Sequence, residues 1–372
     1  MSGSLPSCAQ CAKHLLPLNR EHAVALNDLK AMDMGETEQW AKDLGLDPYR
    51  GRQVRHWLFK ELAVSFNEMT SLSKSVRSFL SDSACITSCL ITQIKISRDG
   101  TRKFLFQLED GALIESVLIP ERDHFTVCIS SQAGCSMGCR FCLTAKQGLT
   151  RNLKAGEIVD QVVQVRRFLK GMTGSPEHLT NVVLMGMGEP LANYEEVVRA
   201  LRNITGSDAL NFSNRRVTLS TSGLVPQMKR LGEEACVNLA VSLNASDDET
   251  RNFLMPVNRR YPLKELLDAC RAFPLPNRRM LTFEYILISG INDSDEDALK
   301  LSKLLSRLRA KINLIPLNPH HGLDMSAPPM ERILQFQKIL VDKHFTAIIR
   351  KSKGQDIGAA CGQLRGQWTN NT

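Results

Sequence analysis

The chain has 372 residues, 43% hydrophobic and 23% charged, with a formal net charge of +8. This balance excludes a disordered chain, and no apolar run approaches the roughly 18 residues that a membrane span needs. Eleven cysteines, an odd number in so long a chain, do not resemble a secreted disulfide framework and fit free thiols in a reducing cytoplasm. The start, MSGSLPSCAQCAKHLL, lacks the charged segment and long apolar run of a secretory signal. The moderate basic excess is compatible with a phosphate-backbone partner.

In chain order, residues 1–22 read as an irregular extension and 23–95 as a helical accessory domain. Apolar spacing at Leu26, Leu29 and Met32 predicts a first helix, with further helices at 36–44 and 51–62. Residues 96–120 read as a β-hairpin extension, because KFLFQLE and ALIESVLIP flank Asp110-Gly111, a strong turn signal. Strands are then expected at 125–130, 181–185, 216–220, 237–243, 281–288, 312–317 and 346–349. Helices are expected between most of them, at 155–170, 194–204, 263–273, 295–308 and 331–344. Such βα repeats make 121–352 an α/β core with a parallel sheet. The polar motifs fall at strand C-terminal ends, which favours a (β/α) barrel, complete or partial. Residues 353–372 form a C-terminal tail.

The segment CISSQAGCSMGCRFC places Cys128 at the end of the first core strand, with Cys135, Cys139 and Cys142 in the loop beyond it. Three thiolates so closely spaced suit iron–sulfur or zinc. Three cysteines on a four-iron (4Fe-4S) cluster leave one iron open to the amino and carboxylate groups of S-adenosylmethionine (SAM). Closed zinc is the second reading and wants a fourth Cys or His; the loop contains no His. The next strand ends in GMGEP, Gly186 to Pro190. Glu189 and the local backbone suit the SAM amino group, and a plain Gly-Pro turn capping a helix is the alternative.

With these motifs the chain resembles the RlmN family of radical SAM enzymes. The resemblance runs from about Tyr49 to Trp368, through FNEMTSLSK, the cysteine loop, LMGMGEPLANY, RRVTLSTSGLVP, LAVSLNA, KINLIPLNP and DIGAACGQL. It implies a radical SAM partial barrel and methylation of adenosine C2 in 23S rRNA and in tRNA. It also implies an electron donor of flavodoxin or ferredoxin type. By the same resemblance SAM is held by Gly188, Glu189, Ser220, Ser242, Leu243, Asn244 and Asn318. Some relatives carry His where this chain has Asn244. Electron-poor C2 cannot attack a SAM methyl group, and the resemblance implies a detour. Cys361 takes a methyl group from one SAM. A radical generated from a second SAM then activates that methyl for addition to C2. Cys128 resolves the resulting RNA–protein tether by forming a disulfide with Cys361, and Glu115 acts as proton acceptor.

Basic residues in RQVRHW, RRFLK, NRR and IIRKSKGQ are candidate phosphate contacts. The rivals are a Cfr-type enzyme that methylates adenosine C8, a non-catalytic RNA-binding protein with a structural metal, and a radical SAM activase acting on a protein glycine. GMGEP followed by LANY leans toward C2. The last two rivals leave the Cys128 and Cys361 motifs without a purpose.

Overall fold

The computed structural model describes residues 26–172 and 179–366. The N-terminal extension, with Cys8 and Cys11, lies outside the described residues, as does Trp368. The chain begins with β1 (Asn27–Asp28), helices α1 (Met34–Asp43), α2 (Pro48–Phe59) and α3 (Lys74–Ser83), and β2 (Ala84–Cys85), which pairs parallel with β1. Three strands follow, β3 (Leu90–Ile96), β4 (Arg102–Gln107) and β5 (Leu113–Pro120). Next come β6 (Phe125–Cys128), β7 (Gln132–Gly134), the short α4 (Leu143–Lys146), β8 (Leu149–Asn152) and α5 (Ala155–Gly171). The alternation continues with β9 (Leu179–Leu184), α6 (Tyr194–Thr205), β10 (Val217–Thr221), α7 (Val225–Glu234) and β11 (Asn238–Ser242). It ends with α8 (Asp248–Leu254), α9 (Leu263–Ala272), β12 (Leu281–Leu287), α10 (Asp295–Leu305), β13 (Ala310–Pro316), α11 (Met330–Asp342) and β14 (Thr346–Ile349).

One ten-stranded sheet runs in the order β14-β13-β12-β11-β10-β9-β6-β5-β4-β3. From β6 to β14 every pairing is parallel, and the predicted hairpin continues the same sheet antiparallel beyond β6. Each crossover lands beside the strand just left, as short right-handed βα connections require. The two edges, β14 and β3, do not pair, so the barrel is partial. Alternation along β12 sends Phe283 and Tyr285 toward the helices, and the Tyr285 ring sits 5.5 Å from Phe336 of α11. Its other face, with Thr282 and Glu284, turns inward.

Three local expectations change. The predicted helix at Leu26, Leu29 and Met32 is absent, and the first helix begins only at Met34. The Asp28 carboxylate accepts hydrogen bonds from Lys30 N, Thr87 N and Thr87 Oγ1, and Leu29 N donates to Cys85 O. This side-chain capture of backbone donors pulls the segment into β pairing, and Asp33 caps the helix that follows. Strand β3 escaped the sequence reading because it is an edge strand with little burial, Leu90 and Ile96 each being 61% exposed. Helix α7 escaped because Pro226 stands in its first turn.

The accessory helices dock on the core through charge rather than apolar surface alone. Lys30 Nζ pairs with Asp160 of α5, both side chains fully buried, and also donates to Thr87 O at 2.8 Å. Asp160 in turn accepts from Cys89 N at 2.6 Å. Arg55 of α2, equally buried, pairs with Asp208 and donates to Asn203 Oδ1 at 2.9 Å and Met32 O at 2.6 Å. Removing one member leaves an uncompensated buried charge. Lys30→Ala is therefore expected to lower stability by roughly 3–5 kcal/mol, read as a shift in the urea unfolding midpoint.

Candidate active site at the C-terminal edge of the sheet

The cysteine loop is held by a feature that the sequence did not advertise. Strands β7 and β8 form a small antiparallel pair that grips the loop at its base. Cys135 N donates to Gly148 O at 2.9 Å. Gly134 has φ +83°, and a Cβ there would lie 2.0 Å from Gly148 O, so no other residue fits. Cys135, Cys139 and Cys142 all line one cavity. Burial pushes the Cys135 thiol up to about 12 and Cys139 well above the usual thiol range. Among the described residues no three Cys, His, Asp or Glu side chains converge tightly enough for a single metal ion. Three soft thiolates on one loop are a donor set that suits an iron–sulfur cluster.

The GMGEP turn packs directly on this loop. Gly188 has φ +102°, and an added Cβ would meet Gln132 Cβ at 2.6 Å and Gln132 N at 2.8 Å. Gln132 Oε1 accepts from Glu189 N at 2.8 Å, and its amide donates to Asn152 Oδ1 at 2.7 Å. The Glu189 carboxylate faces the cavity and accepts from Leu191 N and Ser222 N, at 3.1 and 2.7 Å. Burial raises its pKa against the pull of those donors. Ser220 and Ser242, at the ends of β10 and β11, line the same cavity.

Three of the other candidates also carry structural hydrogen bonds. Leu243 is fully buried, its N–H donates to Glu284 O, and its carbonyl accepts from Arg251. Asn244 lines the cavity at φ +59°, with its carboxamide bonded to Ile286 N and Met255 Sδ. Asn318 donates to Cys361 O at 3.1 Å and accepts from Gln355 at 2.8 Å, so it holds the tail. Arg251 is the residue that sequence reading missed. Fully buried, its guanidinium donates to Leu243 O, Ser242 O, Ser222 O and Asn258 Oδ1, tying the loops after β10 and β11 together. A single Arg on a short helix carries no periodic signal that could have marked it.

The C-terminal tail returns across the mouth of the cavity. Cys361 and Gly362 line it beside the end of the cysteine loop, pinned by Leu143 N to Gly362 O (2.8 Å) and Thr144 Oγ1 to Leu364 O (2.6 Å). Cys361 meets the cavity's water, yet crowding by protein pushes its thiol up to about 11. Cys128 is buried at the end of β6, close enough to Cys361 for negative charge there to raise its own pKa. The expected Cys128–Cys361 disulfide is not formed: both are free thiols. Glu115, fully buried on β5, pairs with Lys103 at 3.0 Å and accepts from Arg365 N at 2.9 Å. Lys103 also donates to Gly358 O at 3.0 Å. The pair lies beneath the tail rather than in the cavity lining.

Several candidate RNA cations are structural instead. Arg55 is buried in its ion pair, Arg166 lies over the Phe212 ring at 4.3 Å, and Arg167 holds Glu68 and Leu62 O. Arg52 pairs with Glu38. Arg259, Arg260, Arg350 and Lys351 remain exposed. No helix among the described residues is long and apolar enough to cross a membrane.

Residues 129–302 match the radical SAM superfamily, and residues 27–86 match the ribosomal RNA large subunit methyltransferase N-terminal domain. A solved radical SAM methyltransferase from Sphaerobacter thermophilus superposes with a TM-score of 0.87 at 45% identity, covering 92% of this chain and 100% of that one. A partial barrel with a three-cysteine loop at its C-terminal edge thus defines a radical SAM methyltransferase. The dual-specificity RNA methyltransferase RlmN of Geobacter sulfurreducens is 52% identical over 340 residues, covering 91% of this chain and 92% of that protein. RlmN of Syntrophus aciditrophicus is also 52% identical, covering 91% of this chain and 97% of that protein. The chain belongs to the RlmN family.

Two glycine substitutions separate crowding from backbone strain at this site. Gly290→Ala, at φ +70° with open space around it, is expected to cost about 1–2 kcal/mol. Gly188→Ala adds the collision with Gln132, roughly 1–3 kcal/mol more, and should lose binding of S-adenosylhomocysteine. Chemical denaturation and calorimetry read the two effects.

Proposed function

We propose that the chain methylates C2 of an adenosine in the peptidyl-transferase centre of 23S rRNA, and of the adenosine 3′ to the anticodon in some tRNAs. The observation that carries this reading is that Cys361, from the far end of the chain, lines one cavity with the three-cysteine loop and lies within electrostatic reach of Cys128. The donor set suits the cofactors. Cys135, Cys139 and Cys142 would hold a 4Fe-4S cluster, and Gly188, Glu189, Ser220, Ser242 and Asn244, with Asn318 beside the tail, would hold SAM. When bound, cluster and SAM supply one-electron cleavage chemistry that abstracts hydrogen from an otherwise inert carbon.

The chain's own residues supply the rest. Cys361, as thiolate, accepts a methyl group by displacement and carries it to the base. Once RNA is attached to Cys361, the Cys128 thiol attacks the Cys361 sulfur and closes a disulfide; the S–C bond breaks, its electron pair passes to the base, and protonation there leaves the new methyl group. Glu115 takes the proton lost from C2. Since the tail covers the Glu115–Lys103 pair, residues 364–366 must lift for that transfer. The accessory domain, 23–95, and the exposed cations Arg259, Arg260, Arg350 and Lys351 contact RNA phosphates. A flavodoxin- or ferredoxin-type donor reduces the cluster, and the setting is cytoplasmic. The hairpin at 96–120 and the tail at 353–372 act as parts appended to the 121–352 core.

Anaerobic protein given RNA, reductant and SAM should yield 2-methyladenosine after nuclease digestion, identified by mass spectrometry. Finding 8-methyladenosine, or no methylated adenosine, overturns the reading. Cys361→Ala should abolish methylation, and Cys128→Ala should accumulate a covalent protein–RNA adduct visible on a denaturing gel. Cys139→Ala should lose the bound iron, about four atoms per chain, by metal analysis.

A further inference from the structure

The β12 wall of the cavity carries an acid that none of these roles uses. Glu284 lies in the middle of β12, between Phe283 and Tyr285, whose rings occupy the helix side of the strand. Its side chain therefore points inward, and it lines the same cavity as Ser220, Ser242 and Cys361. The residue is only 9% exposed. One oxygen accepts from Asn313 Nδ2 at 2.8 Å, and Asn313 is itself buried. The other oxygen has no protein partner among the described residues. No ion pair reaches the carboxyl among those residues, and Arg350 and Lys311 act on it only from longer range. An acid this buried, with one neutral hydrogen bond, has a desolvation cost that the protein alone does not offset.

Register places the group. Ser242, Glu284 and Asn313 form one row across β11, β12 and β13. Glu189 follows β9, separated from this row by β10, and lines the same cavity. A SAM molecule with its amino acid end at Glu189 extends its nucleoside end along the strand ends to this row. A carboxylate is an acceptor with two oxygens, and its natural complement on a nucleoside is the pair of ribose hydroxyls, as at acidic residues of dinucleotide sites. We infer that Glu284 is a positioning residue that accepts hydrogen bonds from the vicinal ribose hydroxyls of SAM. The inference rests on the reading that this cavity holds SAM.

The test is a binding cycle without RNA, using anaerobically purified holoenzyme and calorimetry. Wild type and Glu284→Gln are each titrated with S-adenosylhomocysteine and with its analogue lacking the 2′- and 3′-hydroxyls. Glu284→Gln keeps the side chain's shape and its bond to Asn313, and unfolding midpoints check that it folds. The substitution should weaken S-adenosylhomocysteine roughly 10-fold or more, as expected for hydrogen bonds to a charged group. Wild type should disfavour the analogue to a similar degree, and Glu284→Gln should add little further loss with it. Equal losses for both ligands would overturn the inference, as would no loss at all, the outcome expected of a residue that contacts only RNA. Should the variant not fold, wild type alone decides, since equal affinity for the two ligands also refutes it. A wild-type holoenzyme that fails to bind S-adenosylhomocysteine sinks the SAM reading and this inference together.

Discussion

The site depends on satisfying backbone polar groups where the parallel sheet ends. Each loop leaving the C-terminal edge turns carbonyls and amides into a crowded interior, where an unpaired group is costly. Arg251 answers for three carbonyls at once, those of Ser222, Ser242 and Leu243. Asn193 donates to Ser131 O and Leu153 O, and Gln161 braces Ser130 at both its N–H and its carbonyl. These side chains are buried behind the cavity lining, yet they set where the cavity-lining residues stand. Arg251 has its pKa lowered to about 10 by burial, the electrostatic cost of using a charge as a bracket.

A second dependence is between the chain's ends. The barrel edge offers thiols, carboxylates and hydroxyls, but Cys361 arrives only because the tail threads back over the mouth. It is held there by single hydrogen bonds to Leu143, Thr144 and Asn318, and by Gly358 and Arg365 on the Lys103–Glu115 pair. Such an attachment is local and polar, unlike the apolar core beneath, so it can open without unfolding the sheet.

The same logic separates the accessory helices from an ordinary appended domain. The buried Lys30–Asp160 pair and the half-buried Arg55–Asp208 pair give register rather than adhesive strength, since charges in an interior need a particular partner.

Sequence alone determined the βα alternation, the hairpin at Asp110-Gly111, the spacing of Cys135, Cys139 and Cys142, and the family resemblance carried by the motifs around them. These are local properties: a period of alternation, a turn dipeptide, thiols a few residues apart. The early helix at Leu26–Met32 failed because Asp28 captures backbone donors of Lys30 and Thr87, a competition that periodicity does not register. Arginines that look like RNA contacts, Arg55 and Arg166, proved to be buried or stacked, since charge in a sequence says nothing of the partner that folding brings. Only the tertiary structure decided that Cys128 and Cys361 approach each other across more than two hundred residues, that Arg251 binds the loops, and that Glu284 faces the cavity with an oxygen to spare. Those facts depend on which strands become neighbours and which face of each turns inward. Both are fixed by burial of the whole sheet rather than by any one segment.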